Sequence, residues 1–229
     1  MCIIVEYRVK CFKEMIEMNY INQYISELLY VIPAVLIVLT IHEFGHAYVA
    51  YKMGDTTAKE EGRLSLNPLR HIDPIGLLSL VIFRFGWGKP VPVDFTALRN
   101  LRKGMIFVSL AGPLANLITA FLLAPLFNWM SVNPIVLTGF GYFVELARYI
   151  IVLSIYLAIF NLIPIPPLDG SKIIFALTKN PLRFLYDDAL NYYGIIFLVI
   201  IISIPFFRFN YFFSKAVSPI INLIGKIHF

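Results

Sequence analysis

Apolar residues in this chain fall in long unbroken runs, not in the alternation of a half-buried strand or the one-sided stripe of a surface helix. The run from Leu28 to about Tyr51 carries no charge between Leu28 and Ile41. At about 1.5 Å per residue it is long enough to cross a bilayer core of about 30 Å. Runs of the same character follow at Gly104 to Phe127, Gly141 to Ile163 and Ala189 to Phe207. The pattern predicts an all-α polytopic membrane protein with four to six transmembrane helices. A C-terminal apolar segment, 208–229, carries Lys215 and Lys226 and is expected either to lie along the interface or to add a span.

Between the first two spans lies a polar connection, Lys52 to Lys103, punctuated by Asn67-Pro68, Asp73-Pro74 and the Gly86-Trp87-Gly88 turn. Leu77 to Phe83 within it is apolar but too short to span, and the extended Pro90-Val91-Pro92-Val93 follows. A β-hairpin or a re-entrant dip is expected there. Residues 1–27 carry Glu6, Arg8, Lys10, Lys13, Glu14 and Glu17 and lack the apolar core and cleavage site of a signal peptide. They read as a surface strand or amphipathic arm, unless translation begins at Met15 or Met18. The chain thus divides into the 1–27 arm, a 28–207 core and the 208–229 segment.

Composition agrees with this layout: 59% of the residues are hydrophobic and only 14% charged, against roughly 25% charged in a soluble domain. Nineteen Lys and Arg against fourteen Asp and Glu give a net charge of +5. The basic residues sit between the apolar runs, and no block of them is interleaved with polar or aromatic binding residues, so a nucleic-acid partner is not expected. Twelve of them lie in the 52–103 and 164–188 connections and six outside the spans elsewhere, which places those two connections in the cytoplasm of a multi-pass cell-membrane protein. Cys2 and Cys11 are the only cysteines, too few for a disulfide framework or a cysteine zinc cluster.

The first run carries His42-Glu43-Phe44-Gly45-His46, the pattern H-E-x-x-H. Residues four apart lie on one helix face about a turn apart, so both imidazoles can grip one ion. Glu43 is rotated by about 100° from His42, poorly placed as a ligand but able to reach a water at the ion. Three ionisable groups are costly in lipid unless they face protein or a metal. By helical rise, His46 and His42 lie about 9 Å and 15 Å from the Lys52 end.

A catalytic zinc takes three protein ligands and keeps one position open. The remaining candidates are Glu145, Asp169, His71, Asp73 and His228. The topology puts Asp169 in the same leaflet as the histidines and Glu145 at the opposite end. Pro164, Pro166 and Pro167 interrupt the helix before Asp169, tolerable at membrane depth where backbone lines protein or a watery cavity.

His42 to His46, then Ala111-Gly112-Pro113-Leu114-Ala115-Asn116, then Asn161 to Gly170 resemble the three signature segments of the site-2 protease family of intramembrane zinc metalloproteases. The likeness covers roughly residues 30 to 205, and the 67–76 and 86–93 segments are similar to a compact prokaryotic branch without PDZ or nucleotide-binding modules. The resemblance implies one Zn2+ per chain held by His42, His46 and Asp169, Glu43 as general base and acid, and Asn116 and Asn161 near the substrate backbone or the developing oxyanion. Both asparagines have an alternative as interhelical hydrogen-bonders, and His71 has no clear role. The implied substrate is a transmembrane segment of another protein, cut near its cytoplasmic end, with a separate regulatory membrane protein as a further partner and membrane lipid around the core. The Pro90 to Val93 edge is expected to pair with an unwound substrate. Two rivals remain: the same fold with structural or no zinc, which would need four ligands and a dispensable Glu43, and an ion transporter, which would show repeated half-structures.

Overall fold

The computed structural model describes residues 2–83, 86–185, 187–203, 215 and 219, with the side chains of 2–20, 184 and 201–203 left aside. Helix α1 runs Cys2–Lys52 and contains the first apolar run. The N-terminal residues, expected as a surface strand or amphipathic arm, are helical and run into the first apolar run. It ends at Gly54, whose φ of 115° lets the chain turn in the left-handed region. Asp55 N then donates to Ala50 O and Gly54 N to Tyr51 O, the paired bonds of a glycine-stopped helix end.

The short α2, Thr57–Glu60, follows, and α3 spans Pro74–Phe83. Here the sequence suggested a hairpin or dip, and the described residues form a helix with one isolated bridge, Ile72 to Gly88. The reason is local: Asp73 Oδ1 accepts from the amides of Ile75 and Gly76 at 2.8 and 2.9 Å, and Pro74 occupies the first turn. Leu77 and Leu80 lie with Leu36 and Leu39 of α1 around a small cavity, and the Tyr24 hydroxyl donates to Val81 O. The connection therefore folds back along α1.

Helix α4, Leu101–Val132, is capped by Asn100, which accepts from Lys103 N at 3.0 Å. One residue, Asn133, separates it from α5, Pro134–Asn161, so the two helices pack antiparallel. Small residues at their seam, Ala120, Ala124 and Ala147, admit Phe127, Ile151 and Ile155 between the backbones. Ala34 and Val38 bring α1 onto Ile150 of α5. The chain finishes with α6, Asp169–Ala176, α7, Pro181–Leu185, and α8, Asp188–Ser203.

Among the described residues three helices, Ile21–Lys52 within α1 together with α4 and α5, are long and apolar enough to cross a membrane. Their outer faces carry exposed Leu29 on α1, Phe107, Phe121 and Leu122 on α4 and Phe143 on α5, apolar surface that water would not tolerate on this scale. Helix α8 is apolar and shorter; the expected run ending at Phe207 and the 208–229 segment extend outside the described residues.

Candidate metal centre

Each histidine of the first motif is held from behind. His46 Nδ1 lies 2.7 Å from Val108 O; a carbonyl only accepts, so Nδ1 carries the proton and Nε2 keeps its lone pair. His42 Nδ1 faces the Asn116 side-chain amide at 3.2 Å. The Asn116 oxygen is otherwise buried without a partner; turning the amide lets that oxygen accept Nδ1–H and frees His42 Nε2 in the same way. Asp169 stands at the first position of α6. Its Oδ2 is 3.3 Å from His42 Nε2 and 3.0 Å from His46 Nε2, which are 3.1 Å from each other.

These three donors form the one group of three or more His, Cys, Asp or Glu that converges among the described residues. In a tetrahedral site with donors about 2.0–2.1 Å from zinc, neighbouring donors stand about 3.3 Å apart, so the triangle fits that ion. The donors are also chemically apt: two neutral imidazoles and one carboxylate. Lys172 Nζ contacts Oδ1 at 2.9 Å, leaving Oδ2 to face the imidazoles.

Glycine makes the approach of α4 possible. A methyl group on Gly112 would lie 2.4 Å from His46 Nε2 and 2.7 Å from His42 Nε2. One on Gly170 would lie 2.3 Å from Leu162 O, so the bend after α5 closes only on a residue without Cβ, and this closure brings Asp169 inward.

A cavity of about 450 Å³ opens on one side of the triangle. Glu43, Trp87, Val91, Val93, Asn161 and Lys172 are in its wall. Glu43 is half-buried, and its Oε2 accepts Val91 N–H at 2.7 Å. Asn161 is in this wall as well, its Nδ2 donating to Leu157 O at 3.0 Å. Asn116 is fully buried behind His42, its side-chain amide against a ring nitrogen. Glu145 pairs with Arg148 at 2.8 Å and takes no part in the centre. His71 is buried away from it, its Nε2 donating to Ser65 O at 2.8 Å. Lys172 escaped the sequence reading; its place three residues after Asp169 on α6 was the available signal.

A helical membrane protein with two histidines one turn apart, a carboxylate brought in from another helix and a glutamate beside an open cavity defines the class of zinc metallopeptidases. Comparison with known proteins agrees. The family model described as Peptidase family M50 matches residues 130–201. Relatives named "Putative zinc metalloprotease" include the following two. YwhC of Bacillus subtilis (strain 168) is 39% identical over 179 residues, covering 76% of this chain and 80% of that protein. Rip2 of Mycobacterium tuberculosis (strain ATCC 25618 / H37Rv) is 32% identical over 209 residues, covering 86% and 75%. No solved structure matches. The chain belongs to peptidase family M50, the site-2 proteases, and is a zinc metalloprotease.

Proposed function

We propose that this protein is an intramembrane endopeptidase that hydrolyses a peptide bond inside a transmembrane segment of another membrane protein, near the cytoplasmic face. The observation that carries the reading is the convergence of His42, His46 and Asp169 beside Glu43 at a cavity among membrane-length helices. Zinc held by His42, His46 and Asp169 supplies Lewis acidity, polarising a carbonyl and acidifying water.

The chain's own groups do the rest. Val108 O and Asn116 fix both rings with Nε2 inward, and Lys172 keeps Asp169 turned the same way. Glu43 Oε2 is engaged by Val91 N–H, so Oε1 is the oxygen that takes a proton from the attacking water. The same carboxyl then passes this proton to the amide nitrogen as the C–N bond breaks, leaving a new carboxylate and a new amine. A transmembrane helix hides its peptide bonds and must unwind before attack; Val91 and Val93 in the cavity wall are where the opened strand lies.

The test is purified protein reconstituted in vesicles with a single-span substrate, with Glu43→Gln beside the wild type. The wild type should cut the substrate within its span and Glu43→Gln should retain zinc and cut nothing. Cutting confined to soluble loops, or equal cutting by both, would refute the proposal.

A further inference from the structure

The connection between α1 and α4 holds several buried polar groups that catalysis does not use directly. They converge on one short segment, residues 89–94. Arg63, only 6% exposed, donates from Nη2 to Lys89 O at 2.7 Å and to Pro90 O at 3.1 Å. Asp55, 1% exposed, accepts Asp94 N at 2.9 Å on Oδ2. From the other end, Lys89 N donates to His71 O at 2.9 Å. The peptide amide between these braces, Val91 N, is the one bonded to Glu43 Oε2.

We propose that Arg63 is a positioning residue for the reaction: by fixing the carbonyls of Lys89 and Pro90, it holds Val91 N–H where it locks the Glu43 carboxylate. The inference rests on the reading of Glu43 as the proton-transferring group. Proline at 90 and 92 removes the neighbouring donors, so Val91 supplies the only N–H among residues 90–92, and it is committed to Glu43. A glutamate free on a helix samples several rotamers; one tied to a braced amide keeps a single orientation, which proton transfer rewards. Closing a loop does not call for a buried guanidinium, because desolvating that charge is expensive. Two successive carbonyls placed for one planar donor group explain why an arginine stands there. His71 and Asp55 then act as the outer braces of the same segment.

The experiment compares wild type, Arg63→Met, Arg63→Lys and Glu43→Gln, each as the zinc-loaded full chain. Cleavage of the single-span substrate, zinc affinity and amide exchange over residues 90–93, where only Val91 and Val93 carry an N–H, are all measured. Arg63→Met should lower kcat by about tenfold to a hundredfold with KM and zinc affinity within about twofold of wild type, and should speed exchange over 90–93. Arg63→Lys should recover part of both. If Arg63→Met does not fold, Arg63→Lys carries the same test: kcat below wild type with faster exchange supports the proposal, and wild-type values in both overturn it. A folded Arg63→Met with undiminished kcat per zinc-loaded molecule, or with unaltered exchange, overturns it while an inactive Glu43→Gln leaves the function standing. Glu43→Gln as active as wild type removes both.

Discussion

Gly112→Ala puts the packing of the metal centre to a direct trial. The added methyl would sit 2.4 Å from His46 Nε2, 2.7 Å from His46 Cε1 and 2.7 Å from His42 Nε2, all far inside ordinary van der Waals contact of roughly 3.5 Å. Both rings must retreat by several tenths of an ångström to about 1 Å, yet zinc–ligand distances tolerate only about ±0.2 Å. His46 cannot retreat without breaking its 2.7 Å bond to Val108 O, nor His42 without leaving Asn116. Overpacking of this kind destabilises by about 1–3 kcal/mol, and disturbing ligand orientation weakens metal binding by about 10–100-fold. Chelator competition in detergent measures the affinity. Gly139→Ala, where nothing lies within 4 Å of the new methyl, is the control and should bind zinc as wild type does. If Gly112→Ala held zinc within about threefold of wild type, the contact described between α4 and the imidazoles would be wrong.

Other outcomes follow from the same geometry. Asn116→Ala removes the group behind His42 Nδ1 and should weaken zinc binding by about 10–100-fold, measured by the same competition; unchanged affinity would return Asn116 to the role of a simple interhelical contact. Gly170→Ala sets a methyl against Leu162 O and Ile163 O and should lower stability by about 1–3 kcal/mol in thermal unfolding, with loss of zinc as Asp169 is displaced. Val91→Pro deletes the amide that holds Glu43 and should reduce kcat with zinc retained, and Val93→Glu should raise KM for a membrane substrate by placing charge in the cavity wall. Undisturbed kinetics in both would remove the 90–93 segment from substrate handling.

The membrane-length helices were legible because lipid demands unbroken apolar runs, a signal that survives without knowing any neighbour. His42, Glu43 and His46 were legible for an equally local reason, since helical geometry alone sets two imidazoles on one face. Asp169 needed the topology as well, and the charge count supplied it. For Leu77 to Phe83 the β-hairpin alternative fails because seven apolar residues fit strand and helix alike; the Asp73 cap, which decides for helix, lies outside the run. For Asn116 a substrate contact and an interhelical hydrogen bond both stayed open, because sequence gives its helix and not its facing; the packing of α4 on α1 turns it toward His42. Nothing in the sequence pattern singles out Arg63 or Asp55. Their partners are backbone atoms 26 to 39 residues away, and no local spacing rule reports such a pairing.

The central claim is that two imidazoles and one carboxylate share a single zinc and leave one position open. X-ray absorption on the zinc-loaded protein measures this directly. Two imidazole nitrogens at about 2.0–2.1 Å and oxygen at about 2.0–2.2 Å are expected, with one imidazole lost in His42→Ala and the metal retained in Glu43→Gln. A zinc closed by four protein ligands, or a spectrum that does not change in His42→Ala, would contradict the account.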